Sequence, residues 1–368
     1  MAKNKSYDFE NDYDIYSSAS HVKGRQSGRS VPAKKRKKKK KHTGRKIFVF
    51  LLVVAILLGA AYYGINYYVD NLLNENTNHN ESYNKGNVSA NTEVFDDSIT
   101  NIALFGIDPR ENTFKGRSDA IVILTVDKKR DKIKMTSIAR DTYVNIEGKK
   151  KDKLTHAYAY GGAELAVKTL NQTFDLGIKD YVTVNFFGFA KIIDYVGGVD
   201  IDVDQKEKQV MNDNYISWIN SYGIKCDYIT KTGKQHLNGG QALAYSRNRY
   251  TGGDTARGTR QREVLSEVFD KVKEMGIGEI PELVRIGLKN SETSLSPDEI
   301  KELGSWALLN SPTIEDLSLP DDECNPKEGK AAYIGKPWYY QYDLDIATEK
   351  IHGFITEEGK YAEGQKKK

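Results

Sequence analysis

Residues 47–65, IFVFLLVVAILLGAAYYGI, form a continuous apolar run with no charge, long enough to cross a bilayer as one helix. Polar stretches flank it. Residues 1–46 are expected to be disordered, 47–69 to be a transmembrane helix, and 70–98, rich in Asn, Glu and Ser, to be a flexible tether. Beyond about Asn101 the pattern changes to alternating strand and helix signals. NIALFGID, AIVILTVD, KIKMTSI, YVTVNF, VDIDV and the stretch near IEDLSLP predict strands. AELAVKTLNQTF, FGFAKIIDYV, GGQALAYSR, REVLSEVFDKVKEM, IPELVRIGLKN and SPDEIKELGSWALLN predict helices. Mixed order of this kind implies an α/β domain, a sheet with helices on its faces, over 99–357, with a frayed tail at 358–368.

Charge sharpens the picture. Lys34–Lys46 holds ten basic residues and no acid, which orients the apolar helix with its N-terminus inside the cell. Tyr62, Tyr63, Tyr67 and Tyr68 cluster at the far end, as an outer aromatic belt would. No small-residue cleavage site follows, so an uncleaved anchor is expected in place of a removed signal peptide. Beside a membrane span the lysine run is explained by topology and anionic lipid, and no nucleic-acid partner is expected. Residues 1–46 carry a formal +11 against +4 for the whole chain, which leaves −7 for the remainder. Within that acidic remainder, YSRNRYTGGDTARGTRQR (Tyr245–Arg262) holds five arginines and no lysine. Forked guanidinium groups suit bidentate capture of phosphate or carboxylate.

Two geometric arguments locate the charged groups. If the first three strands form a meander, Asp108, Arg117, Asp119 and Arg140 share one end of the sheet. Two carboxylates with two arginines there suit a magnesium–phosphate site, or else salt bridges that cap the strand ends. At about 100° per residue, Val264, Leu265, Val268, Phe269, Val272 and Met275 form an apolar stripe. Arg257 and Gln261 fall on that stripe, whereas Arg260 and Arg262 flank it. A core-facing arginine at a helix start needs an anion, either Asp254 or a bound phosphate. Six histidines and two cysteines offer no Ser–His or Cys–His dyad and no zinc site, so no covalent enzyme intermediate is suggested. Cys226 and Cys324, both expected outside the membrane, are compatible with a disulfide there.

At these residues the sequence resembles the LytR–CpsA–Psr family of cell-wall proteins. FGIDPR, GRSDAIVILTVD, SIARDTYVNI, DKLTHAYAYGG, DYVTVNFFGFAKIIDYVGGVDIDV, HLNGGQALAYSRNRY and GDTARGTRQR stand in the family's order between about Asn101 and Met275. In SIARD, Ala139 stands where the family commonly has proline. The resemblance implies an α/β/α sandwich with a central mixed sheet and an apolar tunnel for a lipid tail. It implies a phosphotransferase that moves a glycopolymer (teichoic acid, capsule or wall polysaccharide) from a polyprenyl-pyrophosphate carrier onto peptidoglycan. Carried over by motif, Asp108 and Asp119 would hold Mg²⁺, and Arg140, Lys153, Arg247 and Arg249 would grip the pyrophosphate. Arg117, Arg257 and Gln261 would complete the pocket, with Arg110 a further candidate. Asp108, Asp119, Arg140 and Arg249 are the expected catalytic set, and Asp119 or Asp141 the expected base. His156 is expected to pack, and Tyr158 and Tyr160 to belong to the core or the tunnel wall. The other functions compatible with the same residues are a carrier-cleaving pyrophosphatase and a membrane-bound regulator without turnover.

Overall fold

The computed structural model describes residues 43–88, 95–107, 114–324 and 339–359, apart from the side chains of 43–51, 61–62 and 253–255. Helices are α1 (Thr43–Asn76), α2 (Leu154–Phe174), α3 (Phe186–Tyr195), α4 (Gln205–Val210), α5 (Ser217–Ser221), α6 (Gly239–Arg247), α7 (Gly253–Glu274), α8 (Ile280–Lys289), α9 (Pro297–Asn310) and α10 (Leu344–Thr356). Strands are β1 (Ile99–Ile107), β2 (Ser118–Asp127), β3 (Lys132–Ile138), β4 (Tyr143–Val144), β5 (Asp152–Lys153), β6 (Asp180–Asn185), β7 (Val199–Val203), β8 (Gly233–Leu237), β9 (Ser291–Thr293) and β10 (Thr313–Leu319). The chain divides into a unit ending at Leu58 and a unit from Gly59 onward. The described part of the first is the apolar start of α1, and the described folded domain belongs to the second.

The central sheet has six strands in the order β10-β3-β2-β1-β6-β9. The expected meander is present: β2 pairs antiparallel with both β1 and β3. β6 joins β1 and β10 joins β3, both parallel, and β9 closes the edge antiparallel to β6. The carboxyl ends of β1, β3, β6 and β10 therefore meet at one rim, where β2 begins. Alternation along β10 separates the two faces. Leu317 and Leu319 enter the core shared with α2 and α10, while Asp316 and Ser318 face α7. On that second face α3, α6, α7 and the β7–β8 hairpin enclose another core, including Val199, Leu237, Leu243 and Val264. Helices on both faces of a mixed sheet make the expected α/β/α sandwich.

Several elements depart from the sequence reading. α2 begins nine residues before Ala163, and its two halves meet at a kink where Gly162 takes φ +64°. β8, β9 and α10 were not expected at all. The tether reading also fails for residues 77–88. Val88 and Leu73 are buried, Asn80 Nδ2 donates to the Tyr181 hydroxyl at 2.7 Å, and Lys85 reaches Asp180 (2.7 Å) and Glu299 (2.9 Å). A polar composition supplied partners for these contacts, so this stretch packs against the sheet edge as a strap. No disulfide joins the cysteines. Cys226 and Cys324 are free thiols buried in different cores, and burial pushes each up to about 12.

Candidate active site

Asp119 is the second residue of β2, and Arg140 follows β3 after Ala139. The Ala139 N–H donates to the Leu319 carbonyl at 2.9 Å, which fixes the chain as it leaves the sheet. Arg140 Nη1 then donates to Asp119 Oδ1 at 2.5 Å. Arg140 Nε also stands 3.6 Å from the Asp141 carboxylate, whose other oxygen receives Lys153 Nζ at 2.8 Å. Lys153, Asp141, Arg140 and Asp119 thus form one charged line along the rim.

Above this line opens a cavity of about 200 Å³. Asp119 and Arg140 supply one wall, Arg257 and Gln261 from the first turns of α7 another, and Arg247 and Arg249 a third. The helix-wheel inference holds for α7: Arg257 is buried and turns into the cavity with Gln261. Arg247 ends α6 with its guanidinium 4.3 Å from the Phe186 ring and 4.5 Å from that of Trp218, two cation–π contacts that hold it at the cavity. Arg249 is exposed and lies 5.7 Å from the Tyr250 ring.

The remaining two arginines of the cluster do something else. Arg260 Nε pairs with Glu207 Oε1 at 2.7 Å, and its Nη atoms donate to the carbonyls of Asn248 and Thr251, both at 2.8 Å. It thereby braces the loop that carries Arg249. Arg262 Nε pairs with Asp316 of β10 at 2.8 Å.

The cavity does not include every expected residue. Lys153 stands one carboxylate away from its wall, and Arg117 is exposed outside it, close enough for its charge to act on the Tyr160 hydroxyl. Asp108 and Arg110 lie outside the described residues, as does the Asp254 side chain. Asp141 is buried beneath Lys153 and does not line the cavity, which leaves Asp119 as the nearer of the two base candidates. His156 and Tyr160 both bond Asp152, at 2.8 and 2.6 Å, and Tyr160 is exposed where a place in the core or the tunnel wall was expected. Tyr158 is buried, with its hydroxyl 3.0 Å from that of Thr183.

Sequence reasoning missed Asn214, Tyr215, Phe186 and Tyr250. Asn214 and Tyr215 sit on a π-helical turn, Met211–Ile216, between α4 and α5. Such turns are frequent at functional sites, but their spacing leaves no periodic signal. Burial pushes the Tyr215 hydroxyl up, partly offset by the charges of Arg249 and Arg247. Beyond Phe186, Phe187, Trp218, Tyr222 and Leu243 surround an apolar space of only about 10 Å³.

Among the described residues no three His, Cys, Asp or Glu side chains cluster as a metal cage. Magnesium needs fewer protein ligands, commonly one or two carboxylates completed by water and phosphate oxygens. Asp119, with one oxygen on Arg140 and a cavity rich in guanidinium groups beside it, fits that mode.

Residues 64–350 match the LytR_cpsA_psr family. The chain is 33% identical over 321 residues to polyisoprenyl-teichoic acid–peptidoglycan teichoic acid transferase TagU of Bacillus cereus strain AH820, covering 83% of this chain and 95% of that one. Among solved structures, TagT bound to LI-WTA superposes with a TM-score of 0.56 at 30% identity, over 71% of this chain and 93% of that one. A LytR-CPS2A-psr family protein, YwtF (TagT), with bound octaprenyl pyrophosphate lipid superposes with a TM-score of 0.53 at 28% identity, over 71% and 93%. The match runs through the strap, the sheet, the cavity and most of α10, and the chain belongs to the LytR–CpsA–Psr family.

Proposed function

We propose that this chain is a membrane-anchored phosphotransferase that moves an anionic glycopolymer from a polyprenyl-pyrophosphate carrier onto peptidoglycan. The observation that carries this reading is the cavity at the strand ends, where Arg140, Arg247, Arg249 and Arg257 converge beside Asp119. Four guanidinium groups around one carboxylate suit a pyrophosphate far better than a neutral substrate. The relatives named as teichoic acid transferases and the neighbour with a bound prenyl pyrophosphate support the same class of substrate. Helix α1, apolar enough over its described length to cross a membrane, supports an anchor. In this reading its N-terminus is cytoplasmic and the domain lies outside.

Phosphoryl transfer asks a protein mainly for positioning and charge neutralisation. Arg247, in cation–π contact with Phe186 and Trp218, and Arg257, carried on α7, present donors to the pyrophosphate. Arg140 is oriented by Asp119 and Asp141, so it meets the phosphate without reorganising. The acceptor hydroxyl attacks the phosphorus that carries the glycan, the bond to the bridging oxygen breaks, and prenyl phosphate leaves. Magnesium held by Asp119, with Asp108 as second carboxylate, would neutralise the pyrophosphate charge.

The test uses the full chain in phospholipid vesicles with a lipid-pyrophosphate-linked glycan, Mg²⁺ and uncrosslinked peptidoglycan strands, and reads products by mass. A phosphodiester-linked glycan–peptidoglycan that disappears with Arg140→Ala and with chelator is expected. Free glycan phosphate alone would replace the transferase by a pyrophosphatase. Tight carrier binding without any product would leave a regulator.

A further inference from the structure

Helix α9 carries more apolar residues than its own domain covers. Ile300, Leu303, Trp306 and Ala307 are half-buried, whereas Leu308 and Leu309 are left exposed. Leu308 is 54% exposed and Leu309 84%. A surface helix ordinarily hides such a stripe against its own domain.

Its location says what covers it. α9 leaves the sheet just after β9 and returns at the start of β10, the two outermost strands. Fourteen residues make about 21 Å of helix, close to the ~24 Å that five strand spacings require. Lys128, in the β2–β3 turn, holds Glu302 at 2.5 Å midway. α9 therefore runs along the rim opposite the cavity. On the same rim Lys301 Nζ bonds Asp70 Oδ1 at 2.6 Å. Asp70 is the first charged residue after the apolar run of α1, so it marks the level of the lipid headgroups. Lys301 is at that level too, and Leu308 and Leu309 lie seven and eight residues further on, about 10–12 Å along the helix.

We propose that the C-terminal end of α9 inserts Leu308 and Leu309 into the outer leaflet of the membrane that α1 crosses. This rests on the anchor proposed above. The domain then has two membrane contacts, the end of α1 and α9, and its tilt is fixed. The cavity is held away from the bilayer: Asp119 and Asp127, at opposite ends of β2, are eight residues or about 26 Å apart. The carrier's pyrophosphate is drawn up toward the wall while its tail remains in lipid or protein.

The full chain is reconstituted in vesicles of phosphatidylglycerol and phosphatidylethanolamine containing a lipid spin-labelled near the headgroup. Leu309→Cys, Tyr63→Cys in α1 and Tyr250→Cys at the cavity are labelled in turn with an environment-sensitive fluorophore. The native thiols are buried and stay unlabelled. Strong quenching at 309 and 63, with none at 250, is the expected result. Quenching at 63 without quenching at 309 overturns the α9 contact and leaves the anchor standing. Absence of quenching at both removes the anchor and this inference together. Energy transfer between labels at 309 on separate chains, without lipid quenching, would replace the membrane by a second copy.

Discussion

Arg257 and Arg260 are three residues apart on one helix, both buried, and they serve opposite ends. Arg260 is consumed by the protein's own carboxylate and carbonyls, whereas Arg257 turns into a cavity shared with Arg140, Arg247 and Arg249. The same division separates Arg262, paired with Asp316, from exposed Arg249. One cluster of identical side chains thus splits into a group that holds the fold and a group that lines the cavity. The difference lies in where the helix turns each one, since the local sequence is basic throughout. The two groups remain connected, because Arg260 fixes the loop from which Arg249 projects.

Substitutions can break this comparison. The largest effect is expected from Arg140→Ala, which should lower transfer about 10²–10³-fold, the usual loss for a preorganised charge-stabilising donor. Single-turnover assays with membrane-embedded carrier would read it. Arg260→Ala should instead cost about 3–5 kcal/mol of stability, because it strands Glu207 in a buried site. Denaturant titration measures that loss, and an unchanged midpoint would erase the proposed division of labour. Arg249→Lys tests the substrate-facing group more gently. It keeps the charge and loses the fork, so a roughly tenfold weaker carrier affinity is expected with an unaltered melting temperature.

Arg262→Ala should cost only about 1 kcal/mol, since Asp316 is more than half exposed and can be solvated when its partner is gone. A last effect concerns the two cores and is confined to alkaline pH. Both thiols titrate near 12 when folded, above an ordinary value of 9.0. A raised pKa means stability that is complete below pH 9 and is lost as pH rises toward 12. Thermal stability should therefore fall through that window. Cys226→Ala and Cys324→Ala should each remove part of the fall, and the two parts should add because the residues occupy separate cores. In the folded chain neither thiol should react with an aromatic disulfide reagent at pH 8.

Much of this arrangement could be read along the chain. The meander followed from three adjacent strands with short turns, and it brought Asp119 and Arg140 into contact at one rim. The 3.6-residue period of α7 separated Arg257 and Gln261 from Arg260 and Arg262 before any partner was known. The partners themselves were invisible. Glu207 is 53 residues from Arg260 and Asp316 is 54 from Arg262, and no local pattern announces a pairing across that distance. The strap failed for the same reason. Asn80 and Lys85 look like solvated linker residues until Tyr181, Asp180 and Glu299 arrive beside them. Asn214 and Tyr215 were lost because a π-helical turn breaks the period on which such reading depends.

The sequence by itself determined the strands of the meander, most of the helices, the apolar span, the family and which face of α7 carries the cavity arginine. These depend on periodicity, charge runs and ordered motifs, all local properties of the chain. Only the tertiary structure decided which arginines are spent on internal carboxylates, that Lys153 and Arg117 stand outside the cavity wall, and that Leu308 and Leu309 of α9 stay exposed on the rim that Asp70 marks. Those outcomes depend on which distant groups meet when the sheet closes. Burial and pairing are properties of the assembled surface, and an isolated segment does not carry them.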